Sequence, residues 1–173
     1  ALNGVCGDYL LKQQNPISLP MVIYDHYGSV QKGELTGHVV LFIHGLCMNH
    51  LDWSNPQFGG IGEKLLAQRD HNTMLYLNYN TGRRISSNGH SLANTLEDLI
   101  QRNPKISSLS LIGHSMGGLV ARSALFYAKQ SLHSWLHLTE NLVCIASPHH
   151  ESLGSFPTPY SYDTSPPNIK TRI

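Results

Sequence analysis

Four short runs of apolar residues recur along the chain, and glycine-rich or polar segments separate them. None of the runs alternates strictly between apolar and polar residues, which is typical of strands buried on both faces of a parallel sheet. Helical patterns fill the intervals between them. The sequence therefore predicts an α/β fold, a mostly parallel sheet with helices on both faces. The predicted strands cover residues 38–43, 73–79, 108–113 and 142–146.

Three of the intervals carry apolar residues at helical spacing. The first predicts a helix over about residues 60–69. The second predicts a helix capped by Ser86 or Ser87 and limited by Pro104, and the third predicts one directly after Ser115. In the last two helices the predicted inward positions are Leu92, Leu96, Leu99, Ile100, Leu119, Val120, Ser123, Ala124 and Tyr127, with Arg122 and Lys129 facing outward.

The patterned core is expected to span residues 38–150. Residues 1–37 form a lead-in of strands and irregular structure, in which 21–24 and 29–34 predict a hairpin and 1–20 show little pattern. Residues 151–173 contain four prolines among serine, threonine and tyrosine. That composition predicts a proline-rich loop or a disordered tail.

The third apolar run ends abruptly in Gly113-His114-Ser115-Met116-Gly117, and a helical pattern follows at once. This is the G-x-S-x-G pattern in a strand–turn–helix context, which is typical of a nucleophilic serine at the apex of a tight turn. Gly113 and Gly117 leave room where strand and helix crowd against a strained serine backbone. The helix that begins there presents free N–H groups to developing negative charge.

A nucleophilic serine needs donors for the oxyanion of its tetrahedral intermediate. One candidate is the backbone N–H of Met116, directly after the serine. The other is the N–H of Leu46, in the loop that follows the first predicted strand. His44 and Gly45 precede Leu46, and His44 is expected to brace this loop without reacting. His114 is expected to pack or to form hydrogen bonds beside the serine.

The chain resembles the α/β-hydrolase superfamily, and within it the serine lipase/esterase branch, similar to bacterial triacylglycerol lipases and GPI inositol-deacylase-like hydrolases. The resemblance covers about residues 38–150. It implies a lipase- or esterase-type hydrolase of carboxylic esters that forms an acyl-enzyme on Ser115, with Leu46 as the second oxyanion donor. The segments that carry it are Leu41–Leu46, Asn78–Gly82, Ile85–Gly89, Gly113–Gly118 and Ser147–His150.

The chain departs from this pattern at two points. The family continues Pro-His-His with glycine, whereas Glu151 follows here. The family also orders its triad Ser, then Asp or Glu, then His, and no histidine follows Asp163. The resemblance makes His149 and His150 part of the pocket rim and not the base. We therefore expect a hydrolase that is C-terminally incomplete, with the triad acid and histidine beyond Ile173.

The composition of the chain limits the kinds of partner that it is expected to bind. Lys plus Arg number 12 and Asp plus Glu 11, a balance that predicts no nucleic-acid partner. No apolar stretch is long enough to span a membrane, and no signal peptide is visible, which favours a cytoplasmic location. The sequence does not begin with methionine and is expected to be a mature or excised piece. Cysteine and histidine spacing predicts no metal site and no cofactor, and Cys144 is expected to be a buried apolar residue.

Three functions fit these features. The first is hydrolysis of a small-molecule or lipid ester by Ser115. The second is acyl transfer, which uses the same acyl-enzyme with an alcohol acceptor. The third is a catalytically incomplete hydrolase-fold fragment that acts only in binding. The sequence does not separate the first two, and it leaves the ester and the oligomeric state open.

Overall fold

A computed structural model describes residues 2–54, 72–149 and 171–172 of the 173-residue chain. In these residues, strands assemble into one sheet in the order β1-β3-β2-β4-β5-β6. Strand β1 pairs antiparallel with β3, and every other neighbouring pair is parallel. The predicted mostly parallel α/β sheet is therefore confirmed. The strands are β1 Val22–Asp25, β2 Gly37–Ile43, β3 Asn72–Asn78, β4 Ile106–His114, β5 Thr139–Ile145 and β6 Thr171–Arg172.

The central strands are apolar on both faces because both faces are covered. Along β2, Val39, Leu41 and Ile43 belong to one buried cluster, while Val40 and Phe42 belong to the other. In register, Leu41 lies between Leu75 of β3 and Leu111 of β4. This alternation explains why the sequence shows a continuous apolar run where a half-exposed strand would alternate.

Two long helices cover the first of these faces. Helix α2 spans Ile85–Arg102 and helix α3 spans Met116–Gln130. The predicted stripe on α2 is confirmed, since each of its four residues is less than a tenth exposed. On the other face, Trp53 from the 3₁₀ helix His50–Ser54 packs against Phe42, with ring centroids 4.9 Å apart. A second 3₁₀ helix, Ser134–Leu138, precedes β5.

The N-terminal expectation was wrong for the first residues, which form helix α1 over Leu2–Lys12. Glycines lower helix propensity in isolation, but here they allow a close approach. A Cβ on Gly7 would overlap the side chain of Asn80, and one on Gly4 would overlap the Cys47 sulfur. Tertiary packing therefore stabilises a helix that the local pattern does not predict.

The predicted hairpin is reduced to β1 and a single bridge between Tyr24 and Val30. The Asp25 carboxylate holds the turn by accepting hydrogen bonds from the N–H groups of Tyr27 and Ser29, each over 2.9 Å. These local bonds make a tight turn without a second strand.

Three further expectations need correction. Neither Ser86 nor Ser87 caps α2, because the helix already begins at Ile85, and the capping position is Arg84 with no side-chain bond. Strand β5 begins at Thr139, three residues before the predicted start. In the tail expected to be loop, residues 171–172 pair with β5. The helix predicted over 60–69 lies outside the described residues.

Among the helices that the structure describes, none combines the length and the hydropathy needed to cross a bilayer. Cys144 is buried, as predicted for a small apolar residue. Burial raises the pKa of its thiol, although the nearby Arg122 acts in the opposite direction.

Candidate active site

Ser115 lies at the turn between the end of β4 and the start of α3. Its backbone has φ 52° and ψ −122°, in the positive-φ region that residues with a side chain rarely adopt. Its N–H donates to the carbonyl of Ile145 over 2.8 Å, which ties the turn to the neighbouring strand β5. The side chain is half-buried. The structure therefore contains the strained serine turn that the sequence predicts.

The two glycines around Ser115 lie where no Cβ fits. A Cβ on Gly113 would lie 2.5 Å from the Cα of Gly118, in the first turn of α3. A Cβ on Gly117 would overlap the carbonyl oxygen of Ile43 and lie 2.7 Å from that of His44. Helix α3 therefore starts in direct backbone contact with the end of β2.

The loop after β2, residues 44–47 and hereafter the β2 loop, lies against the serine turn. A Cβ built on Gly45 would be 3.1 Å from the Cβ of Ser115 and 3.2 Å from Nδ1 of His114. In the described part of the chain, the N–H groups of Leu46 and Met116 donate to no acceptor. Two unpaired backbone donors therefore belong to two segments that meet at Ser115.

His44 is fully buried at the start of the β2 loop. Its Nδ1 donates to the carbonyl of Gly45 over 2.9 Å, and its ring stacks on Tyr79 with centroids 4.5 Å apart. Burial lowers the pKa of His44, with partial compensation from the Gly45 carbonyl, Asn78 and Asp52. Burial thus favours the neutral imidazole, and its contacts fit the bracing role expected of it.

His114, next to the serine, is half-buried, and its ring presents an edge to Trp53 at a centroid distance of 6.4 Å. Trp53 itself is buried, while the carboxylate of Asp52 accepts the N–H of Asn49 over 2.8 Å. These contacts fit residues that pack beside the serine turn.

His149 is oriented by Arg122, which the sequence analysis wrongly placed outward. Arg122 is half-buried, and its guanidinium donates to Nδ1 of His149 over 2.8 Å. Because a guanidinium can only donate, Nδ1 must be unprotonated, and the ring proton resides on Nε2. A histidine in this tautomer cannot accept the proton of a serine through Nε2. The rim position of His149 stays a prediction, and His150 lies outside the described residues.

Two more histidines after the serine lie in the described part of the chain. His133 and His137 belong to the segment around the second 3₁₀ helix. Of all the histidines in the described ranges, none forms a hydrogen bond with the hydroxyl of Ser115.

A serine–histidine pair lies near the end of the sheet opposite to Ser115, and the sequence analysis did not find it. His38 near the start of β2 approaches the hydroxyl of Ser108 on β4 at 2.5 Å and a carboxylate oxygen of Glu140 on β5 at 3.8 Å. Both contacts involve Nδ1, whereas a triad histidine uses one nitrogen for the serine and the other for the acid. Only the strand register brings these residues together, so no sequence motif marks them.

The described residues contain no group of three His, Cys, Asp or Glu side chains placed to hold a metal ion.

A family model described as the PGAP1-like alpha/beta domain matches residues 34–160, well over half of the chain. The chain belongs to this family. The match contains β2, β4 and the whole serine turn, and it starts close to the predicted start of the core. No curated protein sequence matches the chain.

Solved structures share the fold at low sequence identity. A lipase of Bacillus licheniformis, BlEst2, in its mature form, aligns with a TM-score of 0.53 at 20% identity over 76% of this chain and 48% of the lipase. Its propeptide form gives the same TM-score and identity, with 26% of that chain covered. An acetylxylan esterase aligns with a TM-score of 0.50 at 14% identity over 69% of this chain and 67% of the esterase. The chain thus has an α/β-hydrolase fold and spans about half the length of the mature lipase.

Proposed function

We propose that this PGAP1-like domain is a serine hydrolase of carboxylic esters, of the lipase or esterase type, and that Ser115 is its nucleophile. The observation that carries the proposal is the positive-φ conformation of Ser115 at a strand–turn–helix junction, with the β2 loop against its Cβ. Strain of this kind costs roughly 1–3 kcal/mol and is concentrated at functional sites. The lipase and the acetylxylan esterase of the same fold support an ester as the substrate class.

In this proposal the hydroxyl oxygen of Ser115 attacks the ester carbonyl carbon and forms a tetrahedral intermediate. The backbone N–H groups of Leu46 and Met116 bind the oxyanion, since both are unpaired in the described structure and flank the serine. The intermediate collapses with loss of the alcohol, which carries the proton given up by the Ser115 hydroxyl, and leaves an acyl-enzyme that water hydrolyses. The positive end of the α3 dipole adds to the stabilisation of negative charge at this point.

Turnover by the chain is expected to be slow. No described histidine pairs with the Ser115 hydroxyl, so the serine keeps its proton at neutral pH. In triad enzymes, oxyanion donors and binding alone retain roughly 10³–10⁴-fold acceleration over water. We therefore expect weak hydrolysis of activated esters that still depends on Ser115.

The test is covalent labelling with a fluorophosphonate, followed by peptide mapping, together with hydrolysis of a short-chain nitrophenyl ester. Ser115→Ala is expected to abolish both signals. Ser108→Ala is the matched control, because Ser108 is a serine in contact with a histidine, His38, at the far end of the sheet, and it should change neither signal. A folded wild-type protein that is not labelled, or labelling that persists in Ser115→Ala, would contradict the proposal and favour the catalytically incomplete alternative.

A further inference from the structure

The segment that follows β3, Tyr79–Gly82, contacts the β2 loop on both sides of Gly45 and Leu46. The Tyr79 hydroxyl donates to the carbonyl of His44 over 2.7 Å. On the other side, the hydroxyl of Thr81 accepts the N–H of Cys47 over 3.2 Å. Two side chains of one segment thus hold the residues that precede and follow the Gly45–Leu46 pair.

We propose that Tyr79 and Thr81 are positioning residues that fix the Leu46 N–H as an oxyanion donor. The inference rests on the proposed function, because it assigns a purpose to that N–H. Neither side chain need touch the substrate, since each acts through the backbone of the β2 loop. Oxyanion donors are effective when they are held in place before the charge develops, and the two hydrogen bonds provide this restraint.

Cys47 shows why the loop needs such a restraint. It has φ 60°, a left-handed conformation that residues with a Cβ adopt only when surrounding contacts hold them there. Its hydrogen bond to Thr81 is a contact of this kind. Without the Thr81 hydroxyl, the backbone of Cys47 can relax toward negative φ. This rotation would also reorient the adjoining backbone of Leu46, including its N–H group.

The bracing segment is itself fixed to two helices. The side-chain amide of Asn80 donates to the carbonyl of Gly7 in α1 over 3.0 Å. The amide of Asn88 in α2 donates to the carbonyl of Asn80 over 2.9 Å. Asn80 is buried, so water does not compete for these bonds. The segment therefore provides a firm support for the loop.

Burial strengthens the Tyr79 contact. The ring is 1% exposed and stacks on His44. Burial also raises the pKa of Tyr79, which favours the protonated hydroxyl that donates to His44. A buried carbonyl that loses its donor is left without compensation, which makes the tyrosine-to-phenylalanine change informative.

The test compares Tyr79→Phe, Thr81→Val and the rescue variant Thr81→Ser in the full chain. The rate of Ser115 phosphonylation is resolved into the bound-state rate constant, kinact, and the binding constant, KI. Tyr79→Phe and Thr81→Val are each expected to lower kinact about 3- to 10-fold, the equivalent of one neutral hydrogen bond. KI should change less than about twofold, because the donor acts in the transition state. The rescue variant Thr81→Ser keeps the hydroxyl and should therefore retain most of the wild-type kinact.

Amide hydrogen exchange at Cys47 provides a readout that does not depend on catalysis. Thr81→Val should exchange this N–H faster than the wild type, Thr81→Ser should not, and the amides of β4 should be unaffected in both. An unchanged Cys47 exchange rate, or a kinact that is equal in all folded variants, would overturn the inference. If wild-type Ser115 resists labelling, the proposed function fails, and the exchange rates then decide by themselves whether Thr81 holds the loop.

Discussion

Gly117→Ala is the substitution for which the structure allows the most direct estimate. The added Cβ would lie 2.7 Å from the carbonyl oxygen of His44 and would overlap that of Ile43, both of which are backbone atoms. Ordinary van der Waals contact begins near 3.4 Å, so α3 must move at least about 0.7 Å from the His44 carbonyl (3.4 − 2.7), and farther from that of Ile43. A flexible side chain could move aside, but two hydrogen-bonded backbone segments cannot do so without loss of packing.

The expected loss of stability follows from two opposing contributions. Overpacking of this kind costs about 1–3 kcal/mol, while alanine gains up to about 1 kcal/mol over glycine in a helix. Because the clashing atoms belong to the backbone, the upper part of the overpacking range applies, about 2–3 kcal/mol. Subtracting about 1 kcal/mol for the alanine gain leaves a net destabilisation of about 1–2 kcal/mol. For a chain of this length, each kcal/mol lowers Tm by about 2–4 °C, so thermal unfolding followed by circular dichroism should show Tm lowered by about 2–8 °C.

The same displacement moves the β2 loop away from Ser115, so labelling of Ser115 should fall by more than the unfolded fraction explains. Gly33→Ala is the matched control. Gly33 is exposed, and a Cβ there would have Gln31 as its nearest neighbour, at 3.8 Å. A Gly117→Ala protein with wild-type Tm and wild-type labelling would refute the close-contact argument.

Three further changes test the core and its polar contacts. Leu96→Ala removes a fully buried side chain of α2 and should lower the free energy of unfolding by about 2–5 kcal/mol in urea titrations. Trp135→Phe removes the indole N–H that donates to the carbonyl of Ala93 over 3.0 Å. In the same urea titrations, the free energy of unfolding should fall by about 1–3 kcal/mol. For Glu97, desolvation acts to raise the pKa, but hydrogen bonds from Gln101 and Ser134 outweigh it and lower the pKa below 4.5. A lowered pKa stabilises the fold above pH 4.5, so the Tm advantage of wild type over Glu97→Gln should decline as the pH falls below that value.

The strands could be predicted because burial on both faces leaves a continuous apolar run. Residues 108–113 and their neighbours show this signal directly in the sequence. The start of β5 was missed because Thr139–Asn141 are polar, and the structure leaves Glu140 and Asn141 exposed. Helix α1 was missed because its glycines serve contacts with Cys47 and Asn80, and such contacts leave no periodic pattern.

The serine turn could be predicted because its elements are contiguous: strand, Gly113, Ser115, Gly117 and helix. The contacts around it could not, because they join residues far apart in the chain. The Tyr79–His44 bond spans 35 positions, and the Arg122–His149 bond spans 27. Only the packed sheet brings such residues into contact. The identity of either residue in the sequence does not reveal which distant residue it will contact.

The positions of strained backbone favour the edge of the sheet that contains Ser115 as the functional site, independently of any sequence motif. Cys47, Ser115 and Ala146 all have positive φ, and they follow the ends of the adjacent strands β2, β4 and β5. Among the described residues other than glycine, two more have positive φ, Gln14 and Leu132, and each lies two positions after a helix, where left-handed residues ordinarily end helices. The three strand-end residues have no such local reason. Parallel sheets of this class bind ligands at the carboxyl ends of their strands. Strained backbone conformations destabilise the fold and are concentrated at functional sites. Strain at three neighbouring strand ends therefore favours this edge of the sheet as the place where a ligand binds and reacts.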